Sequence, residues 1–152
     1  MRGASLFDER PAATGAGAGA RLAELAPDAY RAVLGLDGAL WVDPLLRELV
    51  EARTAELDGC AERLAVHARE ALELGEAPHR LAALAGWRAS PLFDDRERAA
   101  LALAEAVALA DRGALAAARD EAAEHFDEVE LAQLLFACVA AGVWDRLELA
   151  LG

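Results

Sequence analysis

The sequence predicts an all-α fold: one compact antiparallel domain of about six to seven helices. Three observations predict it. Alanine and leucine, which lead the helix-propensity scale, supply 66 of the 152 residues. The β-branched residues are only eight valines and two threonines, with no isoleucine, too few to populate a sheet. The apolar residues recur at helical spacing with Glu and Arg between them, the pattern of amphipathic helices. At this length a single domain can bury a core without disulfides or metals.

Taken in order, residues 1 to 20 contain Gly15-Ala16-Gly17-Ala18-Gly19 and are expected to be a flexible tail, leaving 21–152 as the folded domain. From Arg21 a first helix is expected to run to about Leu40, with Pro27 in a first turn. Asp43-Pro44 is an N-cap acid followed by a proline suited to the first helical position, and it opens a second helix to Leu57. Gly59 separates it from a third, which carries Cys60 to Leu72 and stops at Gly75, and the two read as a hairpin. Pro78 starts a short fourth helix through Leu84. Asp94 or Asp95 caps a fifth, from Arg96 to Ala110. A sixth is expected over Ala114–His125, and a seventh from Asp127-Glu128 to about Leu149, with Gly142 as a candidate kink.

Composition also excludes functions. All fifteen basic residues are arginine, and the net charge is −12. That sign opposes a phosphate backbone, so no nucleic-acid partner is expected. The longest nearly apolar run, Leu131 to Trp144, falls short of the ~20 residues a spanning helix needs, so no membrane partner is expected. The N-terminus lacks an apolar stretch of signal-peptide length, and two cysteines make no disulfide framework; a reduced cytoplasmic setting is the expectation.

One segment departs from the Ala/Leu pattern. In Asp58-Gly59-Cys60-Ala61-Glu62-Arg63-Leu64-Ala65-Val66-His67, residues 60, 63 and 67 fall within about 60° of one another around a helix. Cys60, Arg63 and His67 therefore share a face. Cys60 lies near a helix start, where free amides and the dipole favour a thiolate, and Arg63 adds to that while Asp58 and Glu62 oppose it. An ordinary small residue at a helix contact and a core histidine are the alternatives for Cys60 and His67. Cys138, inside an apolar run, reads as a buried hydrophobe; His79 and His125 read as exposed. No two histidines stand three or four apart, no metal site is expected, and no motif calls for a cofactor.

The order of Asp43-Pro44-Leu45-Leu46-Arg47-Glu48-Leu49-Val50, Gly59-Cys60, His67 and Gly75-Glu76 resembles the core of the AhpD-like alkylhydroperoxidases of the carboxymuconolactone decarboxylase superfamily. The likeness continues through Trp87-Arg88-Ala89-Ser90-Pro91-Leu92-Phe93, Arg96-Glu97-Arg98-Ala99-Ala100-Leu101, Glu105-Ala106-Val107, His125-Phe126 and Trp144-Asp145-Arg146. It spans roughly residue 22 to the C-terminus. The resemblance implies an all-helical homo-oligomer with a redox site of Glu, Cys-x-x-Cys and His, whose second cysteine meets the peroxide while the first closes a disulfide. Carried over, Glu48 is the relay glutamate, Cys60 the first cysteine and His67 the relay histidine. The second cysteine's position holds Arg63, a permanent cation that cannot be a nucleophile.

Three expectations follow from that replacement. The first is a degenerate peroxidase with weak or one-cysteine activity, Cys60 paired with Arg63 and resolved by an external thiol reductant. The second is a non-redox, decarboxylase-like pocket in which Arg63, His67 and Glu48 hold a small anionic ligand. The third is a non-catalytic helical oligomerisation protein in which Arg63 pairs with Glu48 and fills the old cavity.

Overall fold

The computed structural model describes residues 18–151, and among these residues every regular element is helical. The order is α1 (Ala18–Leu25), α2 (Pro27–Ala39), α3 (Pro44–Asp58), α4 (Ala61–Glu73), α5 (Pro78–Ala82), a 3-10 segment (Leu84–Ala89), α6 (Asp95–Leu109), α7 (Arg112–Ala122) and α8 (Glu128–Leu151). Most of the expected N-terminal tail, through residue 17, lies outside the described residues, and α1 begins three residues ahead of Arg21. The helices outnumber the expected six to seven because Pro27 does not sit inside one long helix. It occupies the first position of a new one, α2, where its missing N–H costs nothing.

The other starts follow local chemistry. Asp43 caps α3 by accepting from the Leu46 amide at 2.9 Å, with Pro44 next. Asp94 and Glu97 form a reciprocal capping box at α6. Asp111 accepts from the amides of Gly113 and Ala114, so α7 starts at Arg112, ahead of the expected Ala114. Asp127 accepts from the Val129 and Glu130 amides at the start of α8, and Glu130 returns a bond to the Asp127 amide. Gly142 does not interrupt α8, which runs unbroken to Leu151.

Helix α3 is the centre of the domain, packed against α4, α6 and α8. The core is Leu49, Val50, Leu101, Leu103, Leu134 and Trp144 with a large share of alanines, among them Ala52, Ala99, Ala100 and Ala104, all buried. Small side chains at these contacts let helix backbones come close, so much of the domain coheres through helix proximity rather than bulky knobs. Helix α2 has no buried residue and is held by a polar clasp instead. Asp37 accepts from Arg47 Nη2 and from Trp144 Nε1, both at 2.8 Å, and Tyr30 meets the Trp144 ring edge-on. No helix among the described residues is long and apolar enough to cross a membrane.

With so much alanine inside, each large buried side chain carries a heavy share of the burial. Leu101→Ala, at a fully buried position on α6, is expected to lower the free energy of unfolding by about 2–5 kcal/mol in urea titration. Leu25→Ala, 70% exposed on α1, should change it by less than about 0.5 kcal/mol.

Candidate functional site

The α3–α4 hairpin builds the site. Helix α3 ends at Gly59, whose φ of 74° is the left-handed conformation that glycine adopts without a Cβ clash. That turn sends the chain back antiparallel and leaves Cys60 as the N-cap of α4. Arg63 and His67 then follow on the α4 face that meets α3. Glu48 and Glu51, one turn apart on α3, face them. Helix α8 closes the third side with Asp145.

All four candidate residues are brought together and buried: Glu48 at 0% exposure, Arg63 and His67 at 2%, Cys60 at 3%. His67 Nδ1 lies 2.9 Å from Glu48 Oε2 and 3.1 Å from Glu51 Oε2. On the other side of the ring, Arg63 Nη2 is 2.9 Å from His67 Nε2, and Arg63 Nε donates to Asp145 Oδ1 at 2.6 Å. A guanidinium has only donors, so Nε2 must be the accepting nitrogen. The ring proton is therefore on Nδ1, shared between two carboxylates. The histidine has its lone pair occupied by a cation.

The chain of contacts continues beyond the four. Glu51 Oε1 accepts from Arg47 Nε at 2.7 Å, and Arg47 reaches Asp37 and, through it, Trp144. One polar path thus joins α2, α3, α4 and α8 through the interior. Glu51, Asp145, Arg47 and Asp37 were not singled out from sequence as site residues. Glu51 had a local signal, an acid three residues after Glu48 on the same helix face. Asp145 had none strong enough, since it is 82 positions from Arg63.

One expectation needs correction. Arg63 Nε is paired with Asp145 at 2.6 Å and Glu48 lies against His67, while the thiol departs from what its place near a helix start suggests. Cys60 is not poised as a thiolate. Burial pushes its thiol above the ordinary value; the Arg63 backbone amide and side-chain charge pull it down, but Asp145 and Glu148 push it further up, and the upward influences win. Cys138 is buried, and removal from water pushes its thiol up to about 12, so it is inert as a nucleophile. His79 is exposed as expected, whereas His125 is half-buried.

Glu48, His67 and Glu70 offer ligand atoms that all lie within 4.8 Å of one another, the spacing of a possible cation site. The ring chemistry opposes one. A metal on Nε2 would displace Arg63, and a metal on Nδ1 would require the proton on Nε2, aimed at an Arg63 donor. Metal-bound histidines place an acceptor at their other nitrogen, not a cation.

Asp145 is the strained member. Its Oδ2 is buried and accepts no hydrogen bond, as is Asp58 Oδ2. Burial raises the Asp145 pKa from 3.8 to about 6, against the lowering charge and hydrogen bond of Arg63 and with a further push from Asp58. The folded protein therefore holds this proton more tightly than the unfolded chain does. The stability so contributed is complete below the unfolded value and is lost as pH rises through about 6. Unfolding free energy measured against pH should fall across that window, and Asp145→Asn should remove this part of the slope. An unchanged slope in the variant would contradict the assignment. Arg63→Met should move the carboxyl titration, followed by carbon NMR, to still higher pH.

Known proteins supply the context for this geometry. The sequence pattern of the carboxymuconolactone decarboxylase family matches residues 27–106, more than half the chain, from the start of α2 into α6, a stretch that carries Glu48, Cys60, Arg63 and His67. The uncharacterized protein YdfG of Bacillus subtilis (strain 168) is 26% identical over 136 residues, covering 85% of this chain and 90% of YdfG. The uncharacterized protein YnjA of Escherichia coli (strain K12) is 38% identical over 93 residues, covering 61% of this chain and 51% of YnjA, so that likeness spans about half of YnjA. Among solved structures, the Agrobacterium tumefaciens protein ATU0492, of unknown function and a candidate antioxidant defence protein AhpD, superposes with a TM-score of 0.79 at 26% identity. The match covers 85% of this chain and 91% of that one. This chain belongs to the carboxymuconolactone decarboxylase family.

Proposed function

We propose that this protein is a family member with a degenerate thiol-peroxidase site, capable at most of weak, one-cysteine peroxide reduction. The observation that carries the reading is the 2.9 Å contact between Arg63 Nη2 and His67 Nε2. In a thiol peroxidase the thiolate attacks one peroxide oxygen, the O–O bond breaks, and the leaving alkoxide takes a proton. A base must first accept the thiol's proton. Here the nitrogen that could accept it is already hydrogen-bonded to a cation, and the second thiol is absent. What remains is Cys60, buried and with its thiol pushed up rather than down. Oxidation would give a sulfenic acid that an external thiol must reduce, since no second cysteine follows at the i+3 position.

The small-anion alternative is less well supported, because the Arg63 charge is already met by Asp145 at 2.6 Å. A carboxylate ligand would have to compete with a buried, covalently tethered one.

The three proteins to compare are the parent, Cys60→Ser and Arg63→Cys, each assayed for loss of hydrogen peroxide and an organic hydroperoxide with a dithiol reductant. The parent should show slow turnover that Cys60→Ser abolishes. Arg63→Cys restores a thiol and uncovers His67 Nε2 in one step. It should raise the rate by roughly 10²-fold or more, the order that a positioned base contributes. Fast turnover by the parent, or parent activity undiminished in Cys60→Ser, would refute the reading.

A further inference from the structure

With His67 Nε2 engaged by Arg63, the Cys60 thiol has no histidine to receive its proton. Yet a thiol reduces a peroxide only if that proton leaves the sulfur and a proton reaches the departing oxygen. The charged groups that bear on the thiol are Asp145, Arg63 and Glu148. The two acids are buried and stand three positions apart on α8, one above the other on the same face.

Asp145 has an oxygen to spare. Its Oδ1 accepts from Arg63 Nε at 2.6 Å, while its Oδ2, also buried, accepts no hydrogen bond. Among the described residues only Asp58 Oδ2 shares that condition, and the Asp58 charge bears on Asp145 rather than on the thiol. A buried carboxylate oxygen that meets no donor is costly, and such oxygens are normally served by one. Arg63 also ties the carboxylate to the cysteine. Its side chain donates to Asp145, and its backbone amide hydrogen-bonds the Cys60 sulfur.

We propose that Asp145 does for Cys60 what His67 no longer can: its free Oδ2 receives the thiol proton as the sulfur attacks and passes it to the departing oxygen. In this step the S–H and O–O bonds break and an S–O bond forms. Cys60 is oxidised to the sulfenic acid, a hydroperoxide is reduced to its alcohol (hydrogen peroxide to water), and the proton taken from sulfur ends on the leaving oxygen. The surroundings suit the carboxyl to this task. Helix α3 brings Asp58, α4 brings Arg63 and His67, and α8 itself carries Glu148 one turn on and the exposed Arg146, which is drawn to Asp58 at 3.9 Å. Burial and Asp58 raise the carboxyl to about 6 against the pull of Arg63 and His67, so at neutral pH it is ionised yet a stronger base than an ordinary aspartate.

The proposal rests on the one-cysteine reading, and two reactions of Cys60 in the full chain separate their fates. One is oxidation by hydrogen peroxide, with the sulfenic acid trapped by dimedone and mapped by mass; the other is alkylation by iodoacetamide. Alkylation expels iodide, which needs no proton, so it counts thiolate alone. Asp145→Asn should slow oxidation roughly 10²-fold, the order that a positioned proton-transfer group contributes. Alkylation should be unchanged or faster, because a charge that raises the thiol is gone. In the parent, oxidation should quicken as pH rises through about 6, where Asp145 becomes able to accept, and then level. Asp58→Asn removes a charge that raises Asp145 and should move that rise to lower pH. A parent Cys60 that peroxide leaves unoxidised refutes the one-cysteine reading and this proposal with it. An oxidised parent matched by Asp145→Asn refutes the proposal alone, as does an equal fall in both reactions. Should the Asn variant fail to fold, the Asp58→Asn profile decides, and a rise that stays in place is the contrary result.

Discussion

The guanidinium of Arg63 lies between an imidazole nitrogen and a carboxylate in an interior from which water is excluded, and the rest of the site is organised around that placement. A buried cation without an anion is prohibitively costly, so Asp145 must be there, at 2.6 Å. Asp145 in turn is fully buried with one oxygen unsatisfied, and is tolerated only because Arg63 faces it. The pair is mutually dependent rather than strongly stabilising. Desolvation offsets much of the attraction in such pairs, and removing one partner of a buried pair typically costs about 3–5 kcal/mol. Asp145 softens that cost on its own side, since a carboxyl already raised to about 6 can take up a proton when the arginine is lost.

The same placement decides what the histidine can do. His67 keeps its two acidic neighbours on Nδ1, the arrangement that orients an imidazole and fixes which nitrogen carries the proton. Only Nε2 can then do the work, and Arg63 occupies it. A polar network of this kind rigidifies the domain. It joins the α3–α4 hairpin to α8 and, through Glu51, Arg47 and Asp37, to the otherwise unburied α2. Glu48, His67 and Arg63 are thus tied with Asp145 into one interior network.

Much of this was legible in the sequence, and the reasons are local. Asp43-Pro44 and Asp94 with Glu97 announce helix starts by their own capping chemistry, and the structure places the starts there. The common face of residues 60, 63 and 67 follows from helix geometry alone. The family pattern then brought Glu48 to His67. What stayed hidden is long-range or environmental. The Arg63–Asp145 pair closes across 82 residues, which no helical period can reveal. The thiol of Cys60 is raised by burial and by the charges of Asp145 and Glu148 on a distant stretch of the chain, so the helix-start argument for a thiolate gave the wrong direction. Pro27 stands in a first turn as its ring chemistry suggests; what its pattern does not reveal is that the residues before it form a separate helix, α1.

The most direct measurement of the central claim is the tautomer of His67 by nitrogen-15 NMR near neutral pH. The Arg63 contact predicts a neutral ring with its proton on Nδ1 and an unprotonated Nε2 that accepts a hydrogen bond from an arginine Nη. A ring protonated on Nε2, or an Nε2 with no coupling to Arg63, would mean that the lone pair is available and that the base has not been disabled.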